Sequence, residues 1–455
     1  MSPAVPVRAF VLASLCSATA AAQTPVVGPQ QRIDAGGTAA AHETTGSASP
    51  VNPMEIIAGW NDWRFSPTIA NEVISTGFSL SIDGGATWSD FVLRPPVANQ
   101  SGVEGDPMTA WDPRTGDLYA GGISFSAGAN SGLYVARKTP GAATFQPSVM
   151  ARVASGTDKP WMVVGQRPNF TNTSRVYIAY NEGVVFSDDF GATWTNPTPT
   201  VSGIGFLPRI GPNGSLYIAY WDFNDGVRVL RSFDGGQTFD DQLAAVRMDV
   251  WGTQSASRTP GTFRVPPINV MAIGPNGAIN VVYMDTTQVI GGESDVDLYL
   301  VRSIDQGLTW STPTIIADDP AGAPLGDQIF PWIEADANGG LHVVFLDTVN
   351  DVRPDGGTAG IYDAYYAFSA DDGATWSRER LSPTSFNTDN DGLARFNQFF
   401  GDYLGMANAG NKMYPIYPDS ASGDPDIFTN EISLAVAGDV NGDGVVSFAD
   451  IVLLL

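Results

Sequence analysis

From about Met54 to Ala435 the chain is written in short runs in which apolar side chains recur at every second position, each run ending at Gly, Asn, Asp or Pro. Leu216-Tyr-Ile-Ala-Tyr-Trp221, Ile279-Asn-Val-Val-Tyr-Met284 and Leu341-His-Val-Val-Phe-Leu346 are examples. A period of two places alternate side chains on opposite faces of a strand, and a helical period of 3.6 is almost absent, so the pattern predicts an all-β chain. Each of these runs follows a turn: Gly211-Pro-Asn-Gly214, Gly274-Pro-Asn-Gly277 and Asp336-Ala-Asn-Gly339. The Asn-Gly pair tolerates positive φ and closes a first hairpin.

A second hairpin closes on a repeated motif. Ser81-Ile-Asp-Gly-Gly-Ala-Thr-Trp88, Ser187-Asp-Asp-Phe-Gly-Ala-Thr-Trp194, Ser232-Phe-Asp-Gly-Gly-Gln-Thr-Phe239, Ser303-Ile-Asp-Gln-Gly-Leu-Thr-Trp310 and Ser369-Ala-Asp-Asp-Gly-Ala-Thr-Trp376 share the form Ser-x-Asp-x-Gly-x-Thr-aromatic. The Asp can accept backbone N–H groups within its turn, the Gly supplies a conformation closed to other residues, and the aromatic fills space between neighbouring sheets. The motif is therefore read as structural, with no catalytic role for Asp83, Asp189, Asp234, Asp305 or Asp371, and with Trp88, Trp194, Phe239, Trp310 and Trp376 expected to be largely buried at the periphery. The gap between Asp83 and Asp189 is about two repeats long, which predicts a decayed unit containing Asp112-Pro-Arg-Thr-Gly-Asp-Leu-Tyr119 and Lys138-Thr-Pro-Gly-Ala-Ala-Thr-Phe145. Seven units then begin near Met54, Asp106, Lys159, Phe206, Pro266, Ile329 and Phe400. Four-stranded units repeated at this length predict a β-propeller of seven blades, alternatively six, with a solenoid as the other repeat architecture.

The two ends read differently. Residues 1–22 join a short basic start containing Arg8 to the apolar run Ala9–Thr19 and the small residues Ala20, Ala21 and Ala22, the form of a secretory signal peptide. Residues 23–50, rich in Ala, Gly, Thr, Ser and Pro, read as a flexible leader to a propeller over 51–436. At the other end Asp439-Val-Asn-Gly-Asp-Gly-Val-Val-Ser-Phe-Ala-Asp450 places oxygen ligands at EF-hand spacing. Asp439, Asn441, Asp443, the Val445 carbonyl, Ser447 and Asp450 would hold Ca2+, with Gly444 at the sharp turn.

Composition narrows the chemistry. With 48 acidic against 23 basic residues and a net charge of −25, the surface repels phosphate backbones and anionic headgroups, so neither nucleic acid nor a membrane is an expected partner. The single cysteine, Cys16, lies in the signal segment, and the two histidines are His42 in the leader and His342 in an apolar strand. Cysteine nucleophiles, Cys/His zinc sites, disulfides and Ser-His-Asp triads lack their residues; carboxylate, tyrosine, arginine and calcium chemistry remain. Acidic and amide residues also recur just before successive strand starts, in Glu104-Gly-Asp106, Asp158-Lys159, Asp327-Gln328 and Gly401-Asp402. They predict either a polar cup at one channel mouth, for sugar hydroxyls or a cation, or a set of strand-start caps.

The five motifs and their preceding strands resemble the bacterial neuraminidase, or Asp-box, repeat family, and residues 437–455 resemble one type I dockerin repeat. The first resemblance implies a sialidase-like propeller acting on or binding a glycan, secreted from a bacterium to the periplasm or exterior. The sialidase mechanism would use three arginines to clamp a carboxylate, a tyrosine paired with a glutamate as nucleophile, and an aspartate as acid and base. The matching candidates are Asp62, Arg64, Arg209, Arg264, Arg395 and Tyr403, with Glu334 as the glutamate; the family's Arg-Ile-Pro motif is missing, its place taken by Met54-Glu-Ile-Ile-Ala-Gly-Trp-Asn-Asp-Trp-Arg64. The alternative is a non-catalytic glycan- or protein-binding propeller. The second resemblance implies a cohesin-type protein partner.

Overall fold

The alternating runs pair as antiparallel hairpins, and the hairpins assemble into seven sheets. The computed structural model describes residues 24–37, 39–64, 74–96, 103–125, 131–198, 201–224, 226–248, 263–290, 293–316, 326–351, 360–393 and 399–435, and no helix occurs among them. Pro25–Ser433 form one compact unit. Arg395, the signal segment and the whole calcium loop, Asp439, Asn441, Asp443, Val445, Ser447 and Asp450 included, lie outside the described residues.

The sheets form a ring. Their innermost strands are Ala41–Ala48, Val103–Trp111, Trp161–Arg167, Ile204–Ile210, Val270–Ile273, Gln328–Ala335 and Gly405–Ala409. Each touches the next, and the last touches the first, so the architecture is a closed seven-bladed propeller. Five blades have four strands; the sixth gains a short fifth, Phe386–Asn387, and the third keeps three, its fourth reduced to a bridge between Val184 and Thr198. Apolar faces of adjacent sheets mesh between blades. Ile56, Ala58 and Trp60 of the first pack on Ala407, Tyr414 and Ile416 of the seventh, and Tyr119, Ile123 and Val135 of the second on Val176, Ile178 and Val185 of the third. At about 1.5 to 3 kcal/mol for each large side chain withdrawn from water, these interfaces hold the ring.

The leader expected over 23–50 is corrected by the structure. Thr24–Arg32 is the outermost strand of the seventh blade, beside Asp426–Ala435, and Ala41–Ala48 is the innermost strand of the first. The first unit thus begins before Met54. The strand Ala41–Ala48 carries no large apolar residue, and at Gly46 the seventh blade leaves no room for one: a Cβ there would stand 2.9 Å from Ile416 Cγ1 and 3.2 Å from the Ala407 nitrogen. His42, expected in a linker, is buried with its ring 5.4 Å from Phe399 and 5.9 Å from Phe400. His342 is buried too, its Nδ1 2.6 Å from the Tyr366 hydroxyl and its Nε2 3.1 Å from Asp336 Oδ2.

The five motifs repeat one set of bonds. In the first, Asp83 accepts the Thr87 N–H at 2.9 Å and the Thr87 hydroxyl at 2.5 Å, while the Ser81 hydroxyl donates to Asp83 at 2.8 Å and accepts the Gly85 N–H at 2.8 Å. Gly85, at φ 85°, holds the left-handed turn. The motif aromatics Trp88, Trp194, Phe239, Trp310 and Trp376 are half-buried, less than expected, and none is exposed.

Antiparallel order fixes two faces. Inner strands all start at one face, which also receives the blade-to-blade connections and the links between second and third strands. Links such as Asp62 to Ser75 are long there, so this is the loop face. The tight first-hairpin turns and the Asp boxes lie at the other, the turn face.

Candidate functional site

Several inner strands carry the same distortion close to their start. Register shifts interrupt pairing between His42 and Thr45, Gly105 and Met108, Ile204 and Leu207, and Ile329 and Trp332. Each interruption holds a left-handed residue: Glu43 at φ 53°, Asp106 at 46°, Gly205 at 73° and Phe330 at 53°; Lys159, just before its strand, has φ 48°. A bulge re-aims the side chain it carries. Non-glycine residues rarely adopt positive φ, and such strain gathers at functional sites.

Three of these re-aimed side chains, Glu43, Asp106 and Lys159, meet near the loop face. The Lys159 ammonium pairs with Asp402 and lies 3.3 Å from Glu43 Oε1, and its backbone N–H donates to Asp106 Oδ2 at 2.9 Å. Asn61 joins the first two blades, donating to Glu43 at 2.5 Å and accepting the Asp106 N–H at 2.7 Å. Arg264, on the approach to the fifth blade, closes on the same Asp402, its Nε 2.7 Å from Oδ1. Asp158 lies beside Lys159 and Asp106. The side chains of Glu43, Asp106, Lys159 and Asp402 are buried, whereas the Arg264 side chain is 53% exposed.

Burial and charge divide these carboxyl groups. Burial pushes Asp158 up to about 6, with Asp106 adding to the shift and Lys159 opposing it. Burial likewise drives Glu43 well above the usual carboxylate range, against the pull of Lys159. Asp402 goes the other way: burial disfavours its charge, but Lys159 and Arg264 hold it down to about 2. Burial alone lowers the proton affinity of Lys159, yet Asp402, Glu43 and Asp106 together raise it, so its ammonium persists.

Tyr403 packs under this cluster. Its ring lies 5.2 Å from the Lys159 ammonium and meets Trp161 edge-on at 4.9 Å. Burial, then the negative charges of Asp106 and Glu43, raise its phenol well above the ordinary tyrosine range. The hydroxyl is therefore held protonated.

The other sequence candidates lie elsewhere. Arg64 is bound to Asp62 at 2.5 Å and to Asp90 at 2.5 Å, within the first blade. Arg209 pairs with Glu334 at 2.9 Å, further along the channel axis, above the Trp332 ring at 5.4 Å. Among the described residues the structure brings together Tyr403 and Arg264 but assembles no trio of arginines. The recurring polar residues divide between the two roles expected of them. Asp106, Asp158, Lys159 and Asp402 converge at the mouth. Asp327 and Gln328 cap backbone, accepting the Val296 and Leu298 N–H groups at 3.0 and 3.3 Å, and Glu104 faces Arg94 at 3.4 Å.

Sequence reasoning missed Glu43 and Asn61. Glu43 lay in the supposed leader, and Asn61 differs in no local way from other strand-end amides. The signal available was the position itself: a polar residue where Asp106 and Lys159 stand in the following two blades.

Comparison with protein-family models and with curated proteins finds no match to this sequence. Among solved structures, a protein of unknown function from Dyadobacter fermentans DSM 18053 is similar at TM-score 0.51 and 13% identity, over 90% of this chain and 99% of that one. A GH93 α-L-arabinofuranosidase of Fusarium graminearum is similar at TM-score 0.46 and 13% identity, over 90% and 98% of the two chains. The NanB sialidase from Streptococcus pneumoniae is similar at 0.44 and 13%, over 89% and 70%. At such identities the likeness is one of fold.

Proposed function

We propose that this protein is a secreted, carbohydrate-active propeller of glycoside-hydrolase type that takes a neutral glycan at its loop-face mouth. The observation that carries this reading is the convergence of Glu43, Asp106, Asp158 and Asp402 around Lys159 and Arg264 on the face with the long connections. Glycoside hydrolysis needs one carboxyl group that keeps a proton for the leaving oxygen and another that is ionised beside the anomeric carbon or its attacking water. Asp158 or Glu43 suits the first role and Asp402 the second. A neutral sugar is favoured over a sialic acid because Arg64, Arg209 and Arg264 are each engaged by a carboxylate and the net charge is −25. The burial of Glu43, Asp106 and Asp402 favours a second reading, recognition of a glycan without cleavage.

Reducing-sugar release from a panel of neutral plant and host glycans, with a fluorogenic sialoside as the charged control, separates the two. Hydrolysis should fall as pH rises through about 6, as Asp158 loses its proton, and Asp158→Asn and Asp402→Asn should each lower kcat by about 10²- to 10⁴-fold. Binding without turnover supports recognition alone, and turnover unchanged by both substitutions rejects the site.

The tail is proposed as a calcium-binding repeat on the spacing of Asp439, Asn441, Asp443, Val445, Ser447 and Asp450, with a cohesin-type protein as its partner. Calorimetric titration of the whole chain should show a calcium site that the double substitution Asp439→Ala, Asp443→Ala removes. Identical calcium heats in both proteins would reject it.

A further inference from the structure

The ring axis also holds a cleft on its turn-face side. Trp161, edge-on to Tyr403 on one side and 6.4 Å from Trp332 on the other, forms with those rings a layer beneath the Lys159 cluster. Beyond it, toward the turn face, opens a cleft of about 290 Å³ walled by the far parts of the inner strands: Gly46, Ser47, Thr109, Val163, Arg209 and Glu334. Pro50 and Pro113, exposed in first-hairpin turns, stand at its rim, so it opens at the turn face, opposite the loop-face mouth.

Its polar groups are set for a ligand with donors and acceptors side by side. The Arg209 Nη2 and the Trp332 Nε1 both donate to Glu334 Oε1, at 2.9 and 3.0 Å, leaving Oε2 unengaged among the described residues. Arg209 and Glu334 are each about a fifth exposed, at 18% and 21% of the side chain. On the opposite wall the Ser47 hydroxyl donates to the Thr109 hydroxyl at 2.8 Å. The indole N–H groups of Trp111 and Trp161, both lining residues, are buried without an acceptor among the described residues.

We propose that this cleft is a binding site for a neutral saccharide of one or two rings, held through a vicinal pair of hydroxyl groups by Glu334 and Arg209. A carboxylate accepts from one hydroxyl while the adjacent guanidinium donates to its neighbour, a pairing that two adjacent sugar hydroxyls match and a single ion does not. The ion pair carries no net charge, so it offers neither an anion nor a cation a counter-ion. The volume lies at the lower end of small-molecule sites, which limits the occupant to a short sugar. The site is separate from the loop-face mouth and does not depend on hydrolysis there.

The test is isothermal titration of the full chain with methyl β-glucoside, methyl β-galactoside, cellobiose and xylobiose, with glucuronate and glucosamine as charged controls. At least one neutral sugar should bind. Glu334→Gln, which keeps an oxygen for Arg209 and Trp332, should weaken it about tenfold, the loss of one charge-assisted hydrogen bond. Val163→Phe, which fills the cleft from a half-buried wall position, should abolish binding at the cleft, and any heat that survives it and is lost on Asp158→Asn belongs to the mouth. Binding confined to the charged sugars, binding lost on Asp158→Asn but kept in both cleft variants, or no binding of any neutral sugar at tens of millimolar would each overturn the assignment.

Discussion

Glu104 shows how this acidic chain spends stability on position. Burial pushes its carboxyl group from an ordinary 4.5 up to about 7, and Arg94 at 3.4 Å only partly opposes the shift. A folded-state affinity above the unfolded one means that the native protein holds the proton more tightly. Stability from this group is fully present below about 4.5 and is lost as pH rises through 7, to the extent of about 3 kcal/mol. Glu104→Gln cannot ionise. Thermal melts should therefore show the variant more stable than the wild type at pH 8 and the two converging near pH 4.5; parallel curves across that interval would disprove the burial argument. The same scale limits what sequence reveals. Asp106, Lys159 and Asp402 were readable as polar residues at strand starts, but that Asp106 and Lys159 adopt left-handed backbone and aim at one point depends on φ values of 46° and 48° that no local motif announces.

Elements were legible where their physics is local. An Asp box closes its own turn with bonds spanning four residues or fewer, as between Ser81, Asp83, Gly85 and Thr87, so its sequence specifies its shape almost unaided. The second strands were legible as well: Leu216–Trp221 and Leu341–Asp347 are apolar runs after tight turns, and both are buried along their whole length. The innermost strand of the first blade is the contrary case. Its neighbours leave no room for a side chain at Gly46, and Thr44-Thr-Gly-Ser-Ala48 carries no hydrophobic period and reads as linker, although it is a strand buried along half its length. The half-burial of the motif aromatics has a similar cause in reverse: at the periphery the blades diverge, and Trp88 or Trp194 covers a gap without being enclosed by it. The arginine clamp was unreadable for a third reason. Arg64, Arg209 and Arg264 were expected to face the central funnel, but Arg64 turns to Asp90 on the outermost strand of its own blade, and which carboxylate captures each depends on distant sequence: Asp90, Glu334 and Asp402 respectively.

At the scale of the molecule, the ring closes through its ends. Thr24–Arg32 supplies the outer strand of a blade whose other three strands, Gly405–Ala409, Lys412–Asp419 and Asp426–Ala435, are the last described in the chain. Side chains lock the splice: Gln30 donates to Asp419 at 2.8 Å, Arg32 meets Asp426 at 2.5 Å, and the Ile33 N–H donates to the Ile427 carbonyl at 2.9 Å. Such pairing joins the most distant parts of the sequence, so the loop entropy of the whole chain must be overcome before it forms. It should therefore be the last step of folding and the first to open. Without it the seventh blade would keep its packing on the first through Ile56, Trp60, Tyr414 and Ile416, but Asp426–Ala435 would become a bare sheet edge. A chain beginning at Ile33 should consequently fold, with a melting midpoint lower by more than about 5 °C and with amide exchange accelerated first in the seventh blade. A synthetic peptide carrying residues 24–33, added in trans, should restore both by strand addition. If the shortened chain melts and exchanges like the full one, the strand is an ornament of the outer edge and the ring is closed by the inner strands alone.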